Sequence, residues 1–482
     1  MSTAAARLGA VRFPLGPGTP IDPFALAGSD GIVFCADSLV RVGLGVALTL
    51  ALPGGLDSPE DLSGVSRALR SIPVEDHVDR PGGPDTGEPA PGEESPGPGG
   101  TDGPGDPATS GVVALGSLPF DRSAPSTLTV PAIVYGVDPG GSEWVTLIGE
   151  GEPDRPAPGA DYRAWLLERA AEVTGALGTH GADPADPAVA DVVPRSSDDS
   201  FRSMVSEALA AIRRGVVSKV VLARQVEVTM DRPVAVPALL RRWHGVEPNC
   251  AVFSVPTPGG QFLGASPELL VERSGTHMTS RPLAGTSGRS GVDGPPSATG
   301  GLLASVKDGN EHRLVVEAIE RALDPLCDDL EVPDHPALVH LHTITHLGTT
   351  VTGTLTVRAD GSVPSSLDLV AALHPTPAVG GVPAGEALAL IERLEPQSRG
   401  HYAGPVGYVD ANGDGLWMLG IRSMTVRGAR AVLAAGVGIV EGSEPQRELE
   451  ETELKLSAVF DALAPGQSLP TAAEPDRRRA AG

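Results

Sequence analysis

Lysine is nearly missing from this 482-residue chain: only Lys219, Lys307 and Lys455 are present, and arginine supplies the remaining positive charge. Cysteine is equally rare. Cys35, Cys250 and Cys327 are too few and too widely spaced for a disulfide framework or a zinc site, so they read as small buried hydrophobes. No apolar run approaches the roughly 20 residues that a membrane span needs. The longest, Val42 to Leu52, is interrupted by glycines and reads as buried strand. The opening residues lack a basic segment followed by an apolar stretch and a cleavage site, which points to a cytoplasmic protein rather than a secreted one. Rossmann and P-loop glycine motifs are missing too, which excludes a nucleotide cofactor bound in those ways. A net charge of −25 excludes nucleic acid and anionic membrane as partners, because both demand a basic face. An anionic substrate would have to be met by local positive charge.

What is present is enough apolar sequence, 40%, for one large core or two ordinary ones. The lysine scarcity gives the three survivors meaning. Guanidinium does not lose its proton in a protein and is a broad planar fork, whereas ammonium is a compact point charge that can be deprotonated. A position kept as lysine against the arginine bias can need one of those properties. Survival by chance at tolerant surface sites is the competing reading, and composition does not choose between them.

Pro81 to Pro107 is almost wholly Gly, Pro, Asp, Glu, Ser and Thr, with Ala90 its one apolar residue, and reads as a disordered acidic insertion. Around it, Gly31 to Leu52 and Gly111 to Gly149 read as strands and turns, giving a β-rich N-terminal half over residues 1–195. Asp161 to Leu177 has helical spacing, and a Pro/Asp/Ala connector follows to about Ser197. Residues 196–464 form a second region with helices predicted at Phe201 to Arg214, near Val236 to Trp243 and from about Asn310. Strands are predicted at Lys219 to Met230, Ala251 to Val255 and Leu269 to Arg273. Ser443 and Gln446 form a capping-box pattern before a helix running to about Leu463, and 465–482 reads as a polar, flexible tail. Helix and strand do not alternate regularly, so the expected class is α+β with large mixed or antiparallel sheets.

Four clusters in the second region place polar residues where pattern alone expects core. Lys219 opens the valine-rich strand SKVVLARQVEV; it is either a strand-edge lysine snorkelling to water or a desolvated amine able to act as a general base. Glu268 sits between Pro267 and the apolar pair Leu269 and Leu270, and taken alone reads as an exposed turn acid. Glu311 of KDGNEH falls in the first turn of its predicted helix, and Glu448, Glu451 and Lys455 share one helix face. These carboxylates make a solvated charged stripe or a magnesium site, since that ion takes one or two protein carboxylates and completes its shell with water and substrate oxygens. The glycine-rich loops PLAGT, RGHYAGPVGY and AGVGIVEGSEP are either turns or cradles of backbone N–H groups for a carboxylate.

In this order SKVVLAR, FLGASPELLV, PLAGT, KDGNEH, THLGT, LHPTPAVGG, RGHYAGPVGY, GIRS and AGVGIVEGSEPQRELEETELKL resemble the chorismate-binding enzymes, which include isochorismate, salicylate, anthranilate and aminodeoxychorismate synthases. The resemblance covers roughly Ser200 to Leu463, and all three lysines fall inside its motifs. It implies a single unit of two large, mostly antiparallel sheets flanked by helices. It also implies Lys219 as the base that activates water, Glu268 as the acid that protonates the departing hydroxyl, and Glu311 and Glu451 as magnesium ligands supported by Glu448. Tyr402 and Arg422 match positions that hold the enolpyruvyl carboxylate of chorismate, and Gly285, Thr286, His346, Gly436 and Lys455 match other pocket positions.

Within the family, lysine at 219 argues against the ammonia-using anthranilate type, which usually has glutamine there, and so against an amidotransferase partner. Ala284 argues against the aminodeoxychorismate type, which often has a nucleophilic lysine. Salicylate synthases share the lysine base but usually lack the loop at His374 to Gly381. The resemblance therefore implies an isochorismate synthase serving menaquinone or catechol siderophore synthesis, with salicylate synthase as the alternative. A non-catalytic chorismate-binding regulator is disfavoured by the complete acid–base and carboxylate set.

Overall fold

The computed structural model of the chain describes residues 7–76, 111–174, 187–288 and 299–469, apart from positions 17, 152, 154, 158 and 159. The acidic insertion, the middle of the connector and the tail beyond 469 lie outside the described residues.

Two large sheets pack face to face. Among the described residues the first has thirteen strands, twelve along one path and the short Gly381–Val382 off it, paired with Lys219–Met230. Its path runs from Val189–Pro194 through Lys219–Met230, Arg430–Ile439, Ser423–Arg427, Gly260–Ser266 and Ala251–Thr257 to Ile32–Ala36. It then continues through Leu39–Leu44, Ile133–Val137, Glu143–Glu150 and Leu8–Pro14 to Val74–Asp76. The second has nine strands among the described residues, with Leu269–Ser274, Gly415–Leu419, Pro405–Asp410 and Val113–Ser117 at its centre. Both sheets draw strands from both halves of the chain. Among the described pairings only Leu8–Pro14 with Val74–Asp76 is parallel.

Period-two alternation builds the layers. Ile32, Phe34 and Ala36 point into the core between the sheets, where the Phe34 ring lies 6.0 Å from that of Tyr408 on the second sheet. Val33 and Cys35 point the other way, into a second core that also takes Phe24, Leu166, Trp243 and Phe460 from the covering helices. The cysteines are free; Cys35 and Cys250 are buried, and Cys327 is half-buried. A small third sheet, Leu283–Gly288, Ile344–Gly348 and Ala337–His340, stands beside the helix Val306–Leu323.

Local expectations differ from the structure at four places. The stretch read as a connector to about Ser197 carries the strand Val189–Pro194, which pairs with Lys219–Met230 because its Val189, Val192 and Val193 fit an edge strand. Val42 to Leu52 is not one strand: Leu39–Leu44 ends at Gly45, whose φ of 62° turns the chain, and Leu48–Leu52 joins the other sheet. The helix expected near Asn310 begins at Val306, capped by Ser305 Oγ accepting from the Asp308 N–H. Glu311 therefore lies in the second turn, because apolar spacing locates a helix face while the capping residue locates its start. The Ser443–Gln446 capping box does not form: the helix Pro445–Leu463 has Glu444 at its cap without a side-chain bond, and Ser443 Oγ accepts from the Val440 N–H instead. A reciprocal capping box occurs at Ser365 and Asp368.

Candidate active site

The strand Lys219–Met230 is buried along almost its whole length, and Lys219 is buried with it. A side-chain exposure of 1% excludes the snorkelling reading. Its ammonium lies 2.9 Å from Glu311 Oε1, yet its N–H bonds are aligned on no acceptor, so the attraction is Coulombic. Sheet register makes room for this pair. Val221 sits opposite Gly438, where an added Cβ would stand 2.1 Å from Glu311 Oε1 and 3.0 Å from Lys219 Cε. Glycine is the residue that lets lysine and glutamate meet at this wall.

Glu268 follows the strand Gly260–Ser266 and is buried, so the exposed-turn reading is excluded as well. Its backbone is fixed by Ser266 Oγ, which accepts from the Glu268 N–H at 3.3 Å, and by the Leu419 N–H, which donates to the Glu268 carbonyl at 3.0 Å. Burial raises its carboxyl to about 7, against the smaller opposing effects of the Leu283 N–H and the Lys219 and Arg422 charges. At neutral pH it is a proton donor as readily as an acceptor.

The remaining charges interlock. Lys455 Nζ lies 2.7 Å from Glu451 Oε1, one helical turn away, and donates to the Gly436 carbonyl at 3.0 Å. Burial alone would raise the Glu451 carboxyl, but Lys455, Lys307 and the Thr286 hydroxyl together hold it below its ordinary value. Glu448, a turn earlier, pairs with Lys307 at 2.6 Å, and burial raises its carboxyl.

His346 joins the two ends of the site. Its Nδ1 is 3.0 Å from the Gly285 carbonyl, which can only accept, so Nδ1 carries the proton and Nε2 accepts from Arg422 Nη2 at 3.0 Å. Burial and the Arg422 charge lower its pKa to about 3, so the ring stays neutral. Nδ1 is also 3.2 Å from Thr286 Oγ1, whose hydroxyl reaches Glu451. Arg422 adopts a left-handed backbone with φ 51°, unusual for a residue with a side chain. Burial pushes the Tyr402 phenol up to about 12, so it remains a neutral donor.

These groups close around a cavity of about 60 Å³ lined by Glu268, Gly285, Thr286, Glu311, His346, Tyr402, Arg422, Gly436, Glu451 and Lys455. Lys219 stands behind the wall made by Glu311 and Gly438, and Glu448 lies one turn outside it. Sequence reasoning missed three supports. Arg399 donates to the Val379 carbonyl at 2.6 Å and to the Val221 carbonyl at 2.8 Å and forms an ion pair with Glu395, which in turn accepts from the Ala223 N–H at 2.8 Å. That network ties the LHPTPAVGG loop to the lysine strand. His374 Nε2 lies 3.0 Å from the Phe120 carbonyl, anchoring the same loop to the N-terminal half. Lys307 was legible as a scarce lysine inside KDGNEH, but its partner on another helix was not.

The carboxylates suit a divalent cation. Glu311 and Glu451 are acceptor-only groups facing one cavity, and Glu448 Oε2 is buried without a partner. Among the described residues no three His, Cys, Asp or Glu side chains cluster as a metal cage. Magnesium does not require one, since it keeps water and substrate oxygens in its shell.

The family model described as chorismate binding enzyme matches residues 110–464. Isochorismate synthase DhbC of Bacillus subtilis is 40% identical over 281 residues, 56% of this chain and 69% of that protein. Isochorismate synthase EntC of Escherichia coli is 33% identical over 353 residues, 73% of this chain and 81% of its own. The solved structure of MenF, the menaquinone-specific isochorismate synthase from Escherichia coli, matches the fold with a TM-score of 0.72 at 22% identity, covering 95% of this chain and 94% of that one. With its motifs gathered at one cavity and the model spanning most of its length, this chain belongs to the chorismate-binding enzyme family.

Proposed function

We propose that the chain is an isochorismate synthase acting on chorismate in the cytosol without an amidotransferase subunit. The observation that carries this reading is a wholly buried lysine directly behind the cavity wall, close enough for its charge to act on a buried carboxylic acid that lines the cavity and whose pKa lies near 7. Once it has given up its own proton and is the neutral amine, Lys219 takes a proton from water as the water oxygen bonds to C2 of the ring. The ring double bond shifts, the C4–O bond breaks, and Glu268 gives its proton to the departing hydroxyl. One water enters and one leaves, so the reaction is a net isomerisation. Arg422 and Tyr402 hold the enolpyruvyl carboxylate, while Lys455 and the backbone at Gly285 and Gly436 fix the ring. Thr286 and His346 keep Glu451 and Arg422 in place. Magnesium held by Glu311 and Glu451, with Glu448 in support, would supply positive charge for the ring carboxylate. The LHPTPAVGG loop favours this reading over salicylate synthase, because its Ala378 and Val379 line the cavity.

Product analysis tests the reading. Purified protein with chorismate and magnesium is expected to give isochorismate in an equilibrium mixture, approached from either side, without pyruvate. Stoichiometric pyruvate with salicylate would assign the alternative activity, and no conversion would leave only a binding protein.

The metal assignment makes its own prediction. Activity is expected to vanish in chelator and to return with magnesium. Glu311→Gln and Glu451→Gln are expected to need far more magnesium, each having lost one charged ligand from a site with few. Full activity of either variant at wild-type magnesium would remove that residue from the ligand set.

A further inference from the structure

Among the described residues a cavity larger than the catalytic one lies beside it. A space of about 340 Å³ opens on the other side of Arg422. Its walls come from the helix Val236–Val246, the helix Pro445–Leu463 and the turn Leu341 to Ile344. This volume falls in the range of small-molecule sites, whereas the catalytic cavity is several times smaller. Trp243, Val246, Leu341, Ile344 and Leu454 give it an apolar lining. Two polar groups break that lining without being satisfied by the protein. Thr343 Oγ1 is buried with no hydrogen-bond partner. Arg422, stripped of most of its water, makes one side-chain hydrogen bond among the described residues, to the neutral His346, and pairs with no carboxylate. Glu247 and Glu451 act on it through their charges without forming an ion pair with it: both Glu247 oxygens accept from the His342 N–H, and Asp461 is exposed.

We propose that this cavity is a second ligand site, which takes an aromatic carboxylate. Its ring would lie among Trp243, Leu341 and Leu454, and its carboxylate would meet the Arg422 guanidinium and the Thr343 hydroxyl. An apolar lining with a few convergent polar groups is the usual construction of such a site, and a guanidinium fork matches a carboxylate in shape and charge. Arg422 also lines the catalytic cavity, so one cation serves both spaces. A ligand here draws on the charge that the substrate needs and acts as an inhibitor that weakens substrate binding. That consequence rests on the role proposed for Arg422 in holding chorismate; binding of the ligand does not.

Benzoate, with benzyl alcohol as its uncharged counterpart, is the probe. Calorimetry on the full chain is expected to show saturable benzoate binding and much weaker binding of benzyl alcohol. Ser457→Phe and Val246→Trp fill the mouth from the two helices at partly exposed positions outside the catalytic cavity. Each is expected to weaken benzoate about tenfold or more while leaving turnover without benzoate unchanged. Benzoate should raise KM for chorismate in the wild type and lose that effect in both variants. Equal benzoate affinity in the folded variants would place the ligand elsewhere, and either that result, no binding to the wild type, or equal binding of the alcohol overturns the proposal. Benzoate binding that is lost in both variants, in a protein that makes no isochorismate, would sink the functional reading and leave this site standing.

Discussion

Lys219→Arg is expected to be as inactive as Lys219→Met, with turnover down by roughly 10²–10⁴-fold or more in both, the range typical of lost proton transfer. The two substitutions separate what the lysine supplies. Arginine keeps a positive charge facing Glu311 but does not give up its proton, so it cannot accept one from water. Methionine keeps the length and apolar stem but strands the Glu311 carboxylate, whose side chain is 12% exposed, beside an uncharged neighbour. Removing one partner of a buried pair costs about 3–5 kcal/mol. Lys219→Met should therefore lower the melting temperature while Lys219→Arg lowers it less, although both lose turnover alike. Kinetics and thermal melts on the same samples check this. Near-normal turnover in Lys219→Arg would show that position 219 provides only charge, and the hydration step proposed above would have to be abandoned.

Why Lys219 could be singled out in the sequence, while the surroundings that make it useful could not, is a matter of range. A lysine opening a valine-rich strand in an arginine-biased chain is a local oddity, visible within a dozen residues. The glycine that makes room for it lies more than two hundred residues away and is brought across by strand register, with Val221 opposite Gly438. Register is set by the whole buried sheet and leaves no local trace in either segment. Lys307 follows the same pattern: its position in a motif was legible, but its partner Glu448 belongs to another helix. The helix faces, the antiparallel sheets and the family motifs were legible because hydrophobic spacing and motif order are properties of the chain itself.

Where local reading failed, a competing local interaction had won. Ser443 is a good capping residue by type, yet its hydroxyl serves the Val440 N–H, and Pro445 starts the helix without needing a donor. The run Val42 to Leu52 reads as one apolar segment until Gly45 turns it, and the turn sends its two parts to opposite sheets. That split helps to close the sandwich. The expected start of the 306–323 helix was late by about one turn, which left Glu311 facing the cavity but put Lys307 and Asp308, rather than Glu311, in the first turn.

Glu268→Gln tests the other half of the acid–base pair. The amide keeps the shape of the acid and can still accept from the Leu283 N–H, but it has no acidic proton for the departing hydroxyl. Turnover is expected to fall by about 10²–10⁴-fold with little change in chorismate affinity. The pH profile makes the assignment specific. Burial holds the Glu268 carboxyl near 7, well above the ordinary range for glutamate. A general acid works in its protonated form, so the wild-type kcat/KM in the forward direction should decline as pH rises through that value, approaching tenfold per unit above it. In Glu268→Gln the residual rate should lose that decline, because no proton remains to be titrated at this position. A variant that lost activity but kept the same alkaline decline would assign the titration to another group, and Glu268 would then be a structural acid at the cavity wall rather than the proton donor.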